Sequence, residues 1–156
     1  KVKNGYNLNP SSRKKGVSTT IPVESITALS LSGSGEIVGR KTLMANHFEI
    51  AMSGSGDIAL ALDVNSINAS LSGSGDMALS GKATHLTVSI SGSGNMNAYD
   101  LIAENVDATV SGSANVKVTA NNAINAQVSG SGDIDYWGNP EKISTKVSGS
   151  GDITQH

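Results

Sequence analysis

The sequence predicts an all-β fold, a parallel β-solenoid of about seven rungs, and three observations lead to this prediction. The tetrapeptide Ser-Gly-Ser-Gly recurs about every 19 residues along a chain of 156 residues. Apolar and polar residues alternate on both sides of each copy, which is the period of a β-strand. Aromatic residues make up only 3% of the chain. The core must therefore consist of aliphatic layers, as a narrow coil requires.

The repeat is regular enough to set the architecture. Successive copies start 21, 19, 19, 20, 18 and 19 residues apart. The motif begins at Ser32, Ser53, Ser72, Ser91, Ser129 and Ser148, with a Ser-Gly-Ser-Ala variant at Ser111. Of the 18 glycines, 13 lie inside these motifs, so we expect a tight corner there, with unusual φ or no room for Cβ. A β-propeller blade needs about 40 residues, and a sandwich would not keep this register through seven copies.

Each unit is predicted to hold a five-residue strand, the glycine-rich bend, a three-residue strand and a variable remainder. Equivalent inward residues of successive rungs would stack about 4.8 Å apart. One predicted column contains Phe48, Ile67, Leu86, Val106, Ile124 and Ile143, and another contains Met52, Leu71, Ile90, Val110, Val128 and Val147. No segment carries a sustained 3.6-residue period, so essentially no helix is expected.

The chain is predicted to have two parts, a basic, turn-rich segment over residues 1–16 and the β-helix over residues 17–156. Residues 1–23 carry a charge of +5 and residues 24–156 a charge of −7. The acidic body argues against a nucleic-acid partner. The alternation Val17-x-Thr19-x-Ile21 predicts a degenerate eighth rung. We expect residues 1–16 to belong to a truncated upstream portion.

Several classes are excluded by composition. The chain has no cysteine, which excludes disulfides, thiolate catalysis, zinc ribbons and iron–sulfur clusters. No apolar run reaches the roughly 18 residues that a membrane span needs, so no direct membrane insertion is expected. The start of the chain has no apolar segment of the kind that signal peptides carry, so we expect that this chain does not contain a signal peptide.

The repeated Leu-Ser-Gly-Ser-Gly-Asp unit, the stretch from Leu79 to Ala83 and the closing run from Gly132 to Pro140 resemble the GIN-domain family (DUF2807), the auto-transporter adhesin heads. The resemblance covers roughly residues 17–154. It implies a single-stranded right-handed parallel β-helix in proteins that bacteria export or anchor at the cell surface. The repeat pattern itself does not reveal the handedness. The family carries no catalytic residues that could be transferred to this chain.

The position after each motif forms a predicted column of acidic and amide side chains, here named the Asp/Asn column. Its members are Glu36, Asp57, Asp76, Asn95, Asn115, Asp133 and Asp152. One hypothesis is a calcium site at Glu36, Asp57 and Asp76, because Ca²⁺ prefers six to eight oxygen ligands. The other is that each side chain accepts backbone N–H bonds at its own corner. The two asparagines favour the second interpretation, and no cofactor other than this calcium is expected.

The outward residues of the longer strand predict a flat face of small polar side chains, here named the polar face. One column contains Glu49, Asn68, Thr87, Asp107, Asn125 and Ser144, and the next contains Ala51, Ser70, Ser89, Thr109, Gln127 and Lys146. Hydroxyls and amides suit contact with a glycan, so Asn68, Thr87 and Asn125 are candidate ligand-binding residues. Tyr136 and Trp137 are candidates for stacking on a sugar, because both rings are flat and amphipathic. The alternative for the polar columns is an ordinary solvated sheet surface. The alternative for Tyr136 and Trp137 is that they cover the last rung.

These observations predict a non-catalytic bacterial binding module, exported or at the cell surface, that presents a repetitive polar face to a glycan, matrix or protein partner. A pectinase-like β-helix enzyme is the alternative from another class, but an enzyme needs one constellation that breaks the repeat. A structural or self-assembling stalk is the third hypothesis, since strand edges and repetitive faces favour homo-oligomers.

Overall fold

A computed structural model describes residues 26–156, and 80% of these residues lie in strands of one parallel sheet that coils into a β-solenoid of about seven turns. The strands are β1 (Ala28–Gly33), β2 (Glu36–Val38), β3 (Leu43–Gly54), β4 (Asp57–Gly73), β5 (Asp76–Gly92), β6 (Asn95–Gly112), β7 (Asn115–Gly130), β8 (Asp133–Trp137), β9 (Lys142–Gly149) and β10 (Ile153–Gln155). The segment from residue 26 onward contains no helix that could span a membrane. The predicted fold class is confirmed.

Neighbouring rungs pair in parallel, one repeat apart. Strand β4 lies against β5 from Asp57 opposite Asp76 to Gly73 opposite Gly92, an offset of 19 residues. The same kind of pairing joins β1 to β3, β3 to β4, β5 to β6 and β6 to β7. The right-handed coil stays a prediction. The basic segment 1–16 and the eighth rung at residues 17–21 lie outside the described residues.

The strands are longer than the sequence predicts. The expected variable remainder between the short strands is itself strand, so that β4, β5, β6 and β7 each run for 16 to 18 residues between motifs. The reason is that each rung has a similar rung beside it, and backbone pairing continues around the bends of the coil. The predicted strand lengths of five and three residues are therefore wrong for β4 to β7, whereas β1 and β2 have six and three residues.

The interior is a stack of aliphatic side chains. In the first predicted column Phe48, Ile67, Leu86, Val106 and Ile124 are at most 2% exposed. The second column is buried in the same way from Met52 to Val128. The columns end at β9, where Ile143 is 50% and Val147 is 43% exposed. No polar or charged side chain is buried among residues 26–156. All polar chemistry of this region therefore lies on the outer faces.

The first glycine of each motif forms the predicted corner. Gly73 has a φ of +128°. The backbone N–H of the next residue, Ser74, donates a hydrogen bond of 2.9 Å to the carbonyl oxygen of Gly54 in the rung before. A Cβ on Gly73 would overlap that carbonyl oxygen. Positive φ and close contact between rungs both require glycine.

Strand β6 departs from the regular repeat. Its pairing with β5 shifts between Ala78 and Gly81, and its pairing with β7 shifts between Ala98 and Ile102. The extra residues bulge outward at Tyr99, which is 47% exposed. The bulge accounts for the 20-residue spacing of this rung and places an aromatic side chain on the surface.

Candidate functional site

The residues of the polar face pair across neighbouring strands in the register that the sequence predicts. Asn68 pairs with Thr87, Thr87 with Asp107, and Asp107 with Asn125 across β4 to β7. The second column is also in register, with Ser70, Ser89, Thr109 and Gln127 on successive strands. Most of these side chains are exposed, and Asn125 is half-buried. The three candidate residues Asn68, Thr87 and Asn125 are therefore brought into one column on one face.

Some side chains of the polar face are held by neighbours on adjacent rungs. The amide nitrogen of Asn125 donates a hydrogen bond of 3.1 Å to Oδ1 of Asp107. At the edge of the same face, Nδ1 of His47 lies 2.7 Å from the hydroxyl of Ser66. Such bonds between rungs reduce the rotamer freedom that a ligand would otherwise have to restrict.

The Asp/Asn column is a hydrogen-bonded stack over part of its length. Oδ1 of Asp76 accepts bonds from the backbone N–H of Asn95 at 3.2 Å and from its side-chain amide at 2.9 Å. The amide of Asn115 continues the stack to Oδ1 of Asn95 at 3.2 Å. Oδ1 of Asp133 accepts the backbone N–H of Asp152 at 2.9 Å. These bonds link neighbouring rungs, whereas Asp152 also accepts a 2.9 Å bond from the backbone N–H of Ile153 at its own corner. Both kinds of bond support the hydrogen-bonding interpretation.

The three candidate calcium ligands lie side by side on β2, β4 and β5. Glu36 pairs with Asp57, and Asp57 with Asp76. They line an open groove of about 280 Å³ together with Asn95 and other residues. Within residues 26–156 no three acidic or histidine side chains converge as a metal-binding group. Calcium binding at Glu36, Asp57 and Asp76 stays a prediction.

The two aromatic candidates face opposite directions. Tyr136 points into the coil, is 5% exposed, and its hydroxyl donates a 3.3 Å bond to Oε1 of Gln155. Trp137 is half-buried on the outside, because adjacent residues of a strand face opposite sides. The structure therefore does not bring Tyr136 and Trp137 into one sugar-stacking surface. The alternation Ile134-x-Tyr136 in the sequence is the signal that places Tyr136 inside.

Trp137 belongs instead to an aromatic cluster with Tyr99 and His156, which the sequence analysis missed. The Tyr99 and Trp137 rings are 4.8 Å apart at 80°, and the Trp137 and His156 rings are 4.7 Å apart at 15°. Nε2 of His156 lies 2.8 Å from Oδ1 of Asp135. His156 covers one face of the indole, so that face is closed to a sugar. The irregular 20-residue spacing was the only sequence signal for the Tyr99 bulge.

Stacked parallel rungs, an aliphatic interior and polar columns on the outside define a β-solenoid protein whose chemistry lies on its outer faces. The chain belongs to the family described as "Putative auto-transporter adhesin, head GIN domain" (DUF2807), whose model matches residues 1–140. The resemblance drawn from the sequence is confirmed. No curated protein is significantly similar in sequence.

Three solved structures of similar proteins come from Bacteroides fragilis and Parabacteroides distasonis. A putative adhesin of Bacteroides fragilis is 27% identical with a TM-score of 0.78, covering 84% of this chain and 61% of its own. A putative lipid binding protein of Parabacteroides distasonis is 29% identical with a TM-score of 0.82, covering 85% and 54%. A putative adhesin of the same species, 22% identical, has a TM-score of 0.71, covers 83% and 58%, and shows the fold alone. This chain thus spans a little over half the length of each.

Proposed function

We propose that this protein is a non-catalytic binding module, exported by a bacterium or displayed at its surface, and that its polar face binds a glycan. The observation that carries the proposal is the register of this face. Hydroxyls and amides from Ser70 to Gln127 and from Asn68 to Asn125 stand in parallel columns at the strand spacing, about 4.8 Å. A glycan offers hydroxyls along an extended chain, so several weak contacts add up on such a face.

The family and its neighbours support this proposal in general terms. The family description and two of the three structural neighbours carry the word adhesin. Adhesion takes place outside the cell, which supports the proposed location. The matrix or a surface protein are further partners of the same kind, since either would meet the same outward columns.

Two other functions remain to be separated from glycan binding. A pectinase-like enzyme would need one constellation of catalytic acids and bases, whereas most side chains of the polar face are hydroxyls and amides. A self-assembling stalk would use the same outward faces against a second copy. Because one structural neighbour is named a putative lipid binding protein, lipid binding is a third function to test. In this chain a lipid would have to bind on the outer surface, because side chains fill the interior between Phe48 and Tyr136.

The test is native affinity electrophoresis of the chain through gels that contain neutral or acidic polysaccharides, with Ca²⁺ or with chelator. The variant Ser89→Glu places a larger, negatively charged side chain at the centre of the polar face, where it blocks a neutral glycan and also repels an acidic one. The matched control Ala78→Glu adds the same side chain beside the Asp/Asn column, on another exposed face. Retardation of the wild type and of Ala78→Glu, but not of Ser89→Glu, is the expected result.

Each alternative has its own readout. New reducing ends in the polysaccharide would show an enzyme. Unchanged mobility in every gel, combined with oligomers that grow with concentration, would support the self-assembling stalk. Binding to phosphatidylcholine vesicles without any retardation by polysaccharide would replace the glycan with a lipid.

A further inference from the structure

An open groove of about 410 Å³ lies along one edge of the polar face, near the C-terminal rungs. It crosses four successive strands, from β5 to β7 and β9. Its polar lining consists of His85, Asn105, Asp107, Asn125, Lys142 and Ser144. We name it the Ala123 groove after the small residue at its centre. Pockets that hold small ligands measure roughly 300–1,000 Å³, so this groove has the size of a subsite.

The groove exists because one position in a column of larger side chains is alanine. His85 pairs with Asn105, Asn105 with Ala123, and Ala123 with Lys142. Only a methyl group stands between the asparagine and the lysine, so a hollow opens between two polar side chains. A break in the repeat of this kind is what distinguishes a site from a uniform face.

The amides around the hollow are already oriented. Oδ1 of Asn105 accepts a 2.8 Å bond from the amide of Asn122, and its nitrogen lies 3.4 Å from the carbonyl of Thr84. The Asn125 amide donates to Oδ1 of Asp107 at 3.1 Å. This leaves Oδ2 of Asp107 and Oδ1 of Asn125 as acceptors beside the groove. Preorganised acceptors lower the entropic cost of binding a hydroxylated ligand.

A positive charge stands at the other side of the hollow. Lys142 is exposed, and it forms no ion pair with any residue of the described region. Its ammonium group is therefore available to an anion, while Asp107 and Asn125 face the hydroxyls of the same ligand. A carboxylate at one end and hydroxyls at the other are the chemistry of an acidic sugar.

We propose that the Ala123 groove is a subsite for an acidic saccharide, with its carboxylate on Lys142 and its hydroxyls on Asp107 and Asn125. This inference rests on the proposed glycan-binding function and specifies where and what the protein binds. The remaining columns of the polar face then bind adjoining sugars of the same chain.

The test compares two forms of one polymer, polygalacturonate and its methyl ester, in which a neutral ester group replaces the charged carboxylate. Affinity electrophoresis of the full chain gives a dissociation constant for each. Lys142→Gln is expected to weaken binding of polygalacturonate about fivefold and to leave the ester unchanged, as for one exposed charged contact. Ala123→Gln fills the hollow and should weaken binding of both forms. Lys117→Gln removes the same charge on another face and should change neither.

The outcomes separate this subsite from the general proposal. Circular dichroism and a thermal melt first establish that each variant folds like the wild type. Binding of polygalacturonate that both Ala123→Gln and Lys142→Gln leave unchanged would overturn the subsite, while glycan binding by the protein would stand. Equal affinity for the acid and its ester in the wild type would overturn the acidic ligand. No retardation by any polysaccharide would overturn both proposals together.

Discussion

Gly73 lies beside Gly54 in the neighbouring rung, so close that a side chain on Gly73 would overlap the carbonyl oxygen of Gly54. The same oxygen accepts the 2.9 Å hydrogen bond of the Ser74 amide. The corner thus joins two rungs through backbone atoms alone. Its geometry recurs at Gly92, Gly112 and Gly130, each at positive φ above the glycine one rung earlier.

Gly73→Ala is expected to lower the free energy of unfolding by about 3 kcal/mol or more, because backbone strain and steric overlap both act at this position. Gly33→Ala is the matched control. Gly33 also has positive φ, at +106°, but no atom of residues 26–156 outside its own neighbours lies within 4 Å of its added Cβ. This variant should lose only about 1–2 kcal/mol from strain. Urea unfolding followed by circular dichroism measures both, and equal losses would contradict the role of contact between rungs.

Burial along one inward column predicts a second contrast. Ile67→Ala removes a side chain that is 1% exposed and should cost about 2–5 kcal/mol of unfolding free energy. Ile143→Ala makes the same change in the same column where the side chain is 50% exposed, and should cost less than about 1 kcal/mol. The two losses are compared by urea unfolding. A large loss for Ile143→Ala would mean that this rung is covered in solution.

The Asp/Asn column allows hydrogen bonding and calcium binding to be distinguished. Asp76→Asn keeps an oxygen that can accept the two bonds from Asn95, whereas Asp76→Ala removes it. We expect little change for the first variant and a loss of about 1–2 kcal/mol for the second. Thermal melts with millimolar Ca²⁺ and with chelator should coincide for the wild type. A melting temperature that rises with Ca²⁺, and no longer does so in Asp76→Asn, would establish the calcium site instead.

The candidate site was predictable where it follows the repeat. Asn68, Thr87 and Asn125 share a column because they are separated by one or two whole repeats in the sequence. In a parallel solenoid, residues one repeat apart pair on neighbouring strands. Tyr136 shows the limit of reading residue types alone. Its aromatic character suggested a sugar platform, but its place in the alternation puts it inside.

Sites that break the repeat were not predictable. The bulge at Tyr99 brings its ring across to Trp137, 38 residues further on, and no local pattern specifies that approach. The Ala123 groove likewise depends on the longer side chains of Asn105 and Lys142, which lie on either side of the Ala123 methyl group. Both features depend on side chains from different rungs, whose positions follow from the shifts in β6 and β7.

The sequence by itself determined the rung, the register and most of the inward columns. The reason is that in a parallel solenoid the spatial neighbour of a residue is the residue one repeat away, so periodicity along the chain already contains the contacts. Only the tertiary structure decided that strands continue around the bends, that Trp137 packs between Tyr99 and His156, and that a groove opens at Ala123. These features depend on local departures from the repeat, where sequence distance no longer specifies which atoms meet.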